Sequence, residues 1–281
     1  MVARFFRRLV AAFVLGLFNL ALRLFNFISA WGFGGMRRSV PINRFVLAIV
    51  SWSSRVMADT DQIAAQLAAE HATLHFHRAL AINAYANVEQ SLCRLLAALL
   101  NIDWQNAAII FYNVQNTHAR NRIFDELLAK RHGSKYEAYW TGIPNTHPRR
   151  GMRDLIRQLD QSRNEIVHWH IGRKMSEDER GWPALQKPRA VPLIESQMKS
   201  LSVTELTDFI EKADFIERSL NLFCNFAGTD EVNYDRSDPA AWRVESWLQI
   251  FQQPALYPPP DSHPLSRNYI EPENPPQPSR A

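Results

Sequence analysis

Cysteine and glycine are both scarce in this 281-residue chain, and each scarcity narrows the field. Two cysteines, Cys93 and Cys224, can build neither a disulfide framework nor a four-thiolate zinc site. Both sit in apolar helical runs, which predicts buried free thiols in a reducing compartment. The ten glycines form no glycine-rich phosphate loop, and the pattern shows no βαβ alternation and no internal repeat. Composition excludes collagen-like and wholly disordered classes, and the length suffices for one well-buried core with extensions.

Acidic residues are missing altogether from residues 1–56, which carry eight arginines: Arg4, Arg7, Arg8, Arg23, Arg37, Arg38, Arg44 and Arg55. The remainder holds 24 bases against 28 acids, so the net charge of +4 belongs wholly to the extension and is no sign that the folded body binds nucleic acid by bulk charge. A long apolar run is also lacking. Leu9–Leu22 is 14 residues, short of the roughly 20 that a bilayer core needs, and Arg23 follows it. Three readings fit residues 1–56: a membrane-associated helix in contact through residues 9–36, sequence upstream of a true start at Met57, or an ordinary packed helix. The expected location is cytoplasmic, with the inner face of the cell membrane as the alternative.

From Met57 the pattern is helical. Asp59 and Thr60 are cap types, and Ile63, Leu67, Leu74, Ile82, Tyr85, Val88, Leu92, Leu95 and Leu99 recur at helical spacing, with a candidate break near His71–His77. Asn101 and Asp103 mark a turn before a second helix through Ala107–Tyr112. Thr117 opens a third helix, stopped by Gly133, and a short aromatic helix surrounds Tyr136–Trp140. Residues Arg149–His170 form the next helix, with Gly172 as its stop. Residues 173–195 read as a surface excursion with room for a short hairpin. The capping box Ser202-Val-Thr-Glu205 opens a last long helix to Gly228. These elements predict an all-α bundle over 57–230. Ten of the 16 prolines fall at or after Pro239, so 231–281 is expected to hold one amphipathic helix (Ala240–Phe251) and then a disordered, polyproline-like tail.

One constellation carries chemistry. In DQSRNEIVHWHIG, Arg163, Asn164 and His168 fall within two turns, and Asn164 and His168 lie about 40° apart on one helix face. Metal-free RNA cleavage needs a proton shuttle, which histidine supplies near neutrality, and a cation for the charge that builds on phosphorus. Arginine offers planar bidentate donors to phosphate oxygens, and asparagine orients them without competing for the proton. The same residues also suit a surface ion pair of Arg163 with Asp160 or Glu165 and a packed His168.

The string Arg163, Asn164 and His168 resembles the signature of the HEPN (higher eukaryotes and prokaryotes nucleotide-binding) superfamily: an Arg, commonly a polar residue next, and a His after four to six positions. The helix AINAYANVEQSLCRLLAALL (Ala81–Leu100) and the stretch AAIIFYNVQNTHARNRIFDELL (Ala107–Leu128) are similar to bacterial HEPN-like proteins. The resemblance covers about residues 70–230. It implies a four- or five-helix bundle, a homodimer with both motifs on one cleft, and metal-independent endoribonuclease activity leaving a 2′,3′-cyclic phosphate. Toxin or phage-defence roles, a cognate antitoxin and no cofactor follow from the same resemblance. Carried over, Arg163 binds the scissile phosphate, Asn164 positions it and His168 transfers the proton. Some relatives only bind nucleotides or partners, so a non-catalytic interaction module stands as the alternative.

Other candidates are supporting. Arg149, Arg150, Arg153, Arg157 and Arg163 could line a cleft or form a solvated face. Glu89, the one acid between Glu70 and Asp103, is expected to pair with Arg163, or to lie exposed beside Arg94 or Gln90. His170 is read as lying across the helix from His168. His71 and His75, with Glu70 and His77, have metal-pair spacing but no evident third ligand, so no metal is expected.

Overall fold

The computed structural model describes residues 42–143, 151–174, 182–186, 200–229 and 241–271. The predicted membrane contact of residues 9–36 lies outside them, as do Arg149 and Arg150. Seven helices are described: α1 (Ile42–Leu100), α2 (Trp104–Asn113), α3 (Thr117–His132), α4 (Glu137–Thr141), α5 (Met152–His168), α6 (Val203–Ala227) and α7 (Ala241–Ile250). A three-stranded antiparallel sheet, β1 (His170–Lys174), β2 (Trp182–Gln186) and β3 (Ser200–Leu201), stands between α5 and α6 in sequence, in strand order β1-β2-β3. The described chain is mostly helical, as predicted. No single helix among the described residues is long and apolar enough to cross a membrane.

The chain divides into two units, Met1–Ala72 and Thr73–Ala281. The predicted limit after residue 56 falls inside α1. Asp59 and Thr60 start no helix, because α1 runs through them from Ile42, and no break interrupts His71–His77. A cap residue costs only tenths of a kcal/mol inside a helix, too little to stop one favoured on both sides. Within the first unit no described side chain from Asp61 to Ala72 is buried.

The second unit holds the core. Leu74, Ala81, Tyr85, Val88, Leu92, Leu95 and Leu99 form the buried stripe of α1 at three-, four- and seven-residue steps. Asn101 turns left-handed (φ 53°), and Asp103 caps α2 through the Asn106 amide. Asn116, not Thr117, caps α3 by accepting from the amides of His118 (2.8 Å) and Ala119 (3.2 Å). Gly133 (φ 59°) ends it. The basic last turn of α3 closes two other helices. Arg131 donates to the carbonyls of Ala98 (2.7 Å), Leu99 (3.2 Å) and Gly228 (2.6 Å), and His132 Nε2 donates to Ala227 O (2.8 Å). Carbonyls at helix ends have no partner within their own helix, so one guanidinium here serves α1 and α6 together. Phe223 of α6 gathers an aromatic cluster from Tyr136, Tyr139, Trp140 and Phe251.

Two further expectations are corrected. The helix predicted to reach His170 stops at His168, and Gly172 is no helix stop. It lies in β1 opposite Ala184, where a Cβ would strike the Gln186 side chain. Buried Trp169 leads into the strand, whose partner lies beyond the reach of local periodicity. The short hairpin allowed for in the 173–195 excursion corresponds to the antiparallel pair β1 and β2, but β1 begins at His170, before the predicted excursion. The polyproline-like tail is also overturned for residues 252–271. Phe251 and Ala255 are buried, Tyr257 and His263 pack on Phe215 of α6, and Arg267 pairs with Glu211 at 2.5 Å. Aromatics interleaved with the prolines give the segment apolar surface to bury, and proline lowers the entropy lost on ordering it.

Phe251→Ala should therefore lower stability by about 3–5 kcal/mol, and removal of residues 251–281 by at least as much; an unchanged denaturant midpoint would contradict the packed tail. Burial of His263 holds its imidazole below the ordinary 6.5, and its Nδ1 accepts from the Leu265 amide at 3.1 Å. Between the folded and ordinary values the unfolded chain binds the extra proton, so stability should fall as pH drops below about 6.5. The Tm of His263→Phe should lose that part of the pH slope.

Candidate functional site

Helix α5 is held at both ends by charged groups from other helices. Near its start, Arg153 donates to Asp125 Oδ2 of α3 (2.5 Å), while Asp125 Oδ1 accepts from Trp140 Nε1 of α4 (2.7 Å). At its last turn, Arg78 of α1 donates to the Val167 carbonyl at 2.7 Å. Between these anchors Met152, Leu155, Ile156, Leu159 and Ile166 are buried.

Arg163 falls in that apolar stripe, four residues after Leu159 and seven after Ile156. Its Cζ lies over the Tyr85 ring, 5.3 Å from the centre. Tyr85 is 5% exposed, and its hydroxyl donates to Asp160 Oδ1 at 2.6 Å. Burial and then the Asp160 carboxylate hold this phenol far above its ordinary value, so it remains a donor. Arg163 Nη1 donates to Asn164 Oδ1 at 3.2 Å.

Asn164 and His168 are exposed, on one stripe with Arg157. At 100° per residue the three span about 40°, while Arg163 stands about 140° from His168. The structure thus brings Arg163 to Asn164 and leaves His168 at the open end of α5, without a hydrogen-bond partner among the described residues. Arg157 pairs with Asp154 at 3.4 Å. The described arginines of the basic run do not form one row: Arg153 is half-buried in its ion pair and Arg163 faces Tyr85.

Glu89 departs from expectation. It accepts from Arg120 of α3 at 3.3 Å rather than from Arg163, and it is half-buried rather than exposed. It stands one turn beyond Tyr85 on α1, where α3 and not α5 is the neighbour. Arg120 also lies over Phe111 and reaches Thr117 Oγ1. Arg94, the other proposed neighbour, donates to Asn221. His170 is likewise corrected: it opens β1, exposed and opposite Gln186, so it is not across a helix from His168.

Arg78 and Arg120 escaped sequence reading, Tyr85 was read only as part of the apolar repeat, and Asp160 only as a surface partner of Arg163, whereas it accepts from Tyr85. Tyr85 was hidden in the apolar repeat, although a buried phenol requires a hydrogen-bond partner and that demand was its one signal. Cys93 and Cys224 are free, and burial pushes their thiols up to about 11 and about 12, unsuited to nucleophilic work near neutrality. No group of three or more His, Cys, Asp or Glu among the described residues is placed to hold a metal ion. Three described cavities, of about 450, 380 and 80 Å³, lie at α6 with the tail, at α3–α4, and beside Tyr139. None is lined by Arg163, Asn164 or His168. The motif therefore presents an open surface: a guanidinium with edge donors, a carboxamide and an imidazole, able together to bind an anion and move a proton.

The half-buried Glu89–Arg120 pair should be worth about 1–2 kcal/mol, between the exposed and buried limits. A double-mutant cycle of Glu89→Gln with Arg120→Gln should show that coupling in unfolding free energy, and the cycle with Arg163→Gln should show none. No family model, curated protein or solved structure matches this chain, so the chemistry of the site is read from its own residues.

Proposed function

We propose that the chain is a metal-independent endoribonuclease of HEPN type, acting as a homodimer in a toxin or phage-defence setting. The observation that carries the reading is the state of Arg163. The guanidinium lies over the Tyr85 ring, its Cζ 5.3 Å from the centre, and its Nη1 reaches Asn164. The remaining edge donors suit the non-bridging oxygens of a phosphodiester. His168, exposed at the end of the same helix, takes the 2′-hydroxyl proton or protonates the departing 5′-oxygen. Attack of the 2′-oxygen on phosphorus forms a P–O bond as the P–O5′ bond breaks, giving a 2′,3′-cyclic phosphate and a 5′-hydroxyl end.

The wide angle between Arg163 and His168 within one chain favours a cleft shared by two copies, each lending groups to the other's phosphate. Exposed apolar side chains on α2, Ile109 (62% exposed) and Tyr112 (51%), favour a second reading. In that reading the chain is a non-catalytic helical module that binds a protein partner or a nucleotide.

Incubation of the purified full chain with RNA in EDTA should give cleavage with cyclic phosphate ends. His168→Ala should slow it roughly 10²- to 10⁴-fold, with the unfolding midpoint little changed because the side chain is exposed. Absence of cleavage, or cleavage untouched by His168→Ala, would overturn the proposal and leave the binding module.

A further inference from the structure

The Tyr85 hydroxyl sits where it decides which partner Asp160 holds. Asp160 and Arg163 are three residues apart on α5, a spacing at which an aspartate and an arginine on a helix readily pair. Such a pair would neutralise the guanidinium and occupy the edge donors that an anion needs. Instead, Asp160 Oδ1 accepts the Tyr85 hydroxyl at 2.6 Å, and Arg163 rests on the ring of the same tyrosine. One side chain from α1 therefore engages the carboxylate with its hydroxyl and the cation with its face. A cation on an aromatic face keeps its planar N–H rim available, whereas a carboxylate partner occupies that rim.

We propose that Tyr85 is a positioning residue for the phosphate site, holding Asp160 away from Arg163 so that the guanidinium edge stays open to a phosphate oxygen. The inference rests on the nuclease reading for its biological ligand, but its physical content is simpler: the anion affinity of Arg163 depends on what Asp160 is bonded to. Tyr85→Phe keeps the ring and its packing and deletes only the hydroxyl. Asp160 then turns to Arg163, and the anion site is neutralised from within its own helix. A second change, Asp160→Asn, removes the competing charge and restores the site.

The test uses the full chain with ¹⁵N-labelled arginine and inorganic phosphate as the probe, following the Arg163 Nε–H resonance, assigned by its loss in Arg163→Lys. In the wild-type protein the resonance should move with phosphate. In Tyr85→Phe the apparent Kd should rise about tenfold, the scale of one charge-assisted hydrogen bond. In Tyr85→Phe/Asp160→Asn it should return to near the wild-type value. Asp160→Asn alone should bind phosphate at least as tightly as wild type, which keeps the idea testable should Tyr85→Phe fold poorly. A wild-type resonance indifferent to phosphate, a Tyr85→Phe Kd equal to wild type, or a double variant that stays weak would each overturn the proposal. A merely structural tyrosine would not be rescued by Asp160→Asn. RNA cleavage is measured separately: a chain that shows the phosphate pattern but cuts no RNA retains the positioning role and loses the nuclease reading.

Discussion

A cation in a packed helix seam is the constraint around which this unit is arranged. Arg163 occupies a place on α5 that the helical repeat otherwise gives to Ile156, Leu159 and Ile166. A charge so placed, half-buried, is accommodated by groups of the protein. The accommodation is an aromatic face from α1 and a carboxamide from the next residue, and the tyrosine that supplies the face needs an acceptor of its own. The demand passes from Arg163 to Tyr85 to Asp160 and returns to α5. The register of α5 against α1 is then set by polar geometry as well as by apolar fit, and Arg78 on the Val167 carbonyl fixes the same register at the end of the helix.

The rest of the unit supplies a frame stiff enough for that seam. Arg131 satisfies carbonyls at the ends of α1 and α6 together, so that two of the longest described helices finish on one guanidinium. Asp125 does the corresponding work at the start of α5, taking a tryptophan N–H from α4 and an arginine from α5. Each bond is to a charged group and partly shielded from water, the condition under which such contacts fix geometry best. The aromatic cluster around Phe223 fills the space these polar ties enclose, and the tail completes it through Phe251.

The legibility of the sequence followed the range of the physics. Local signals were readable: the buried stripe of α1, the Ser202–Glu205 capping box and the stop at Gly133 all follow from propensity and periodicity. Signals that depend on a distant partner were not. Trp169 continues a helical pattern until β2 is known to lie alongside, and the prolines after residue 251 suggest a solvated tail until Phe215 is known to face Tyr257 and His263. In the candidate site, Arg163, Asn164 and His168 could be picked out as residue types at a spacing. The partner of Glu89 could not, because α1 presents Glu89 to α3 and Tyr85 to α5 only one turn apart. A helical repeat ranks positions by burial and does not say which neighbour a buried polar group will meet.

That distinction bears on the nuclease proposed for the motif. On a single helix, Arg163 and His168 are separated by the same geometry that lets one pack and the other face water. An arginine fixed by its neighbours loses little freedom when an anion arrives, so the site is organised before binding. In the proposed reaction the exposed His168 keeps access to solvent protons, which a proton-transfer group must exchange on every turnover. On that proposal the helix divides two requirements between two faces, rigidity for the charge and openness for the proton. In the proposed dimer a phosphate meets the guanidinium of one copy and the imidazole of the other, while within each chain Asn164 joins the two faces, accepting from Arg163 and standing on the stripe of His168.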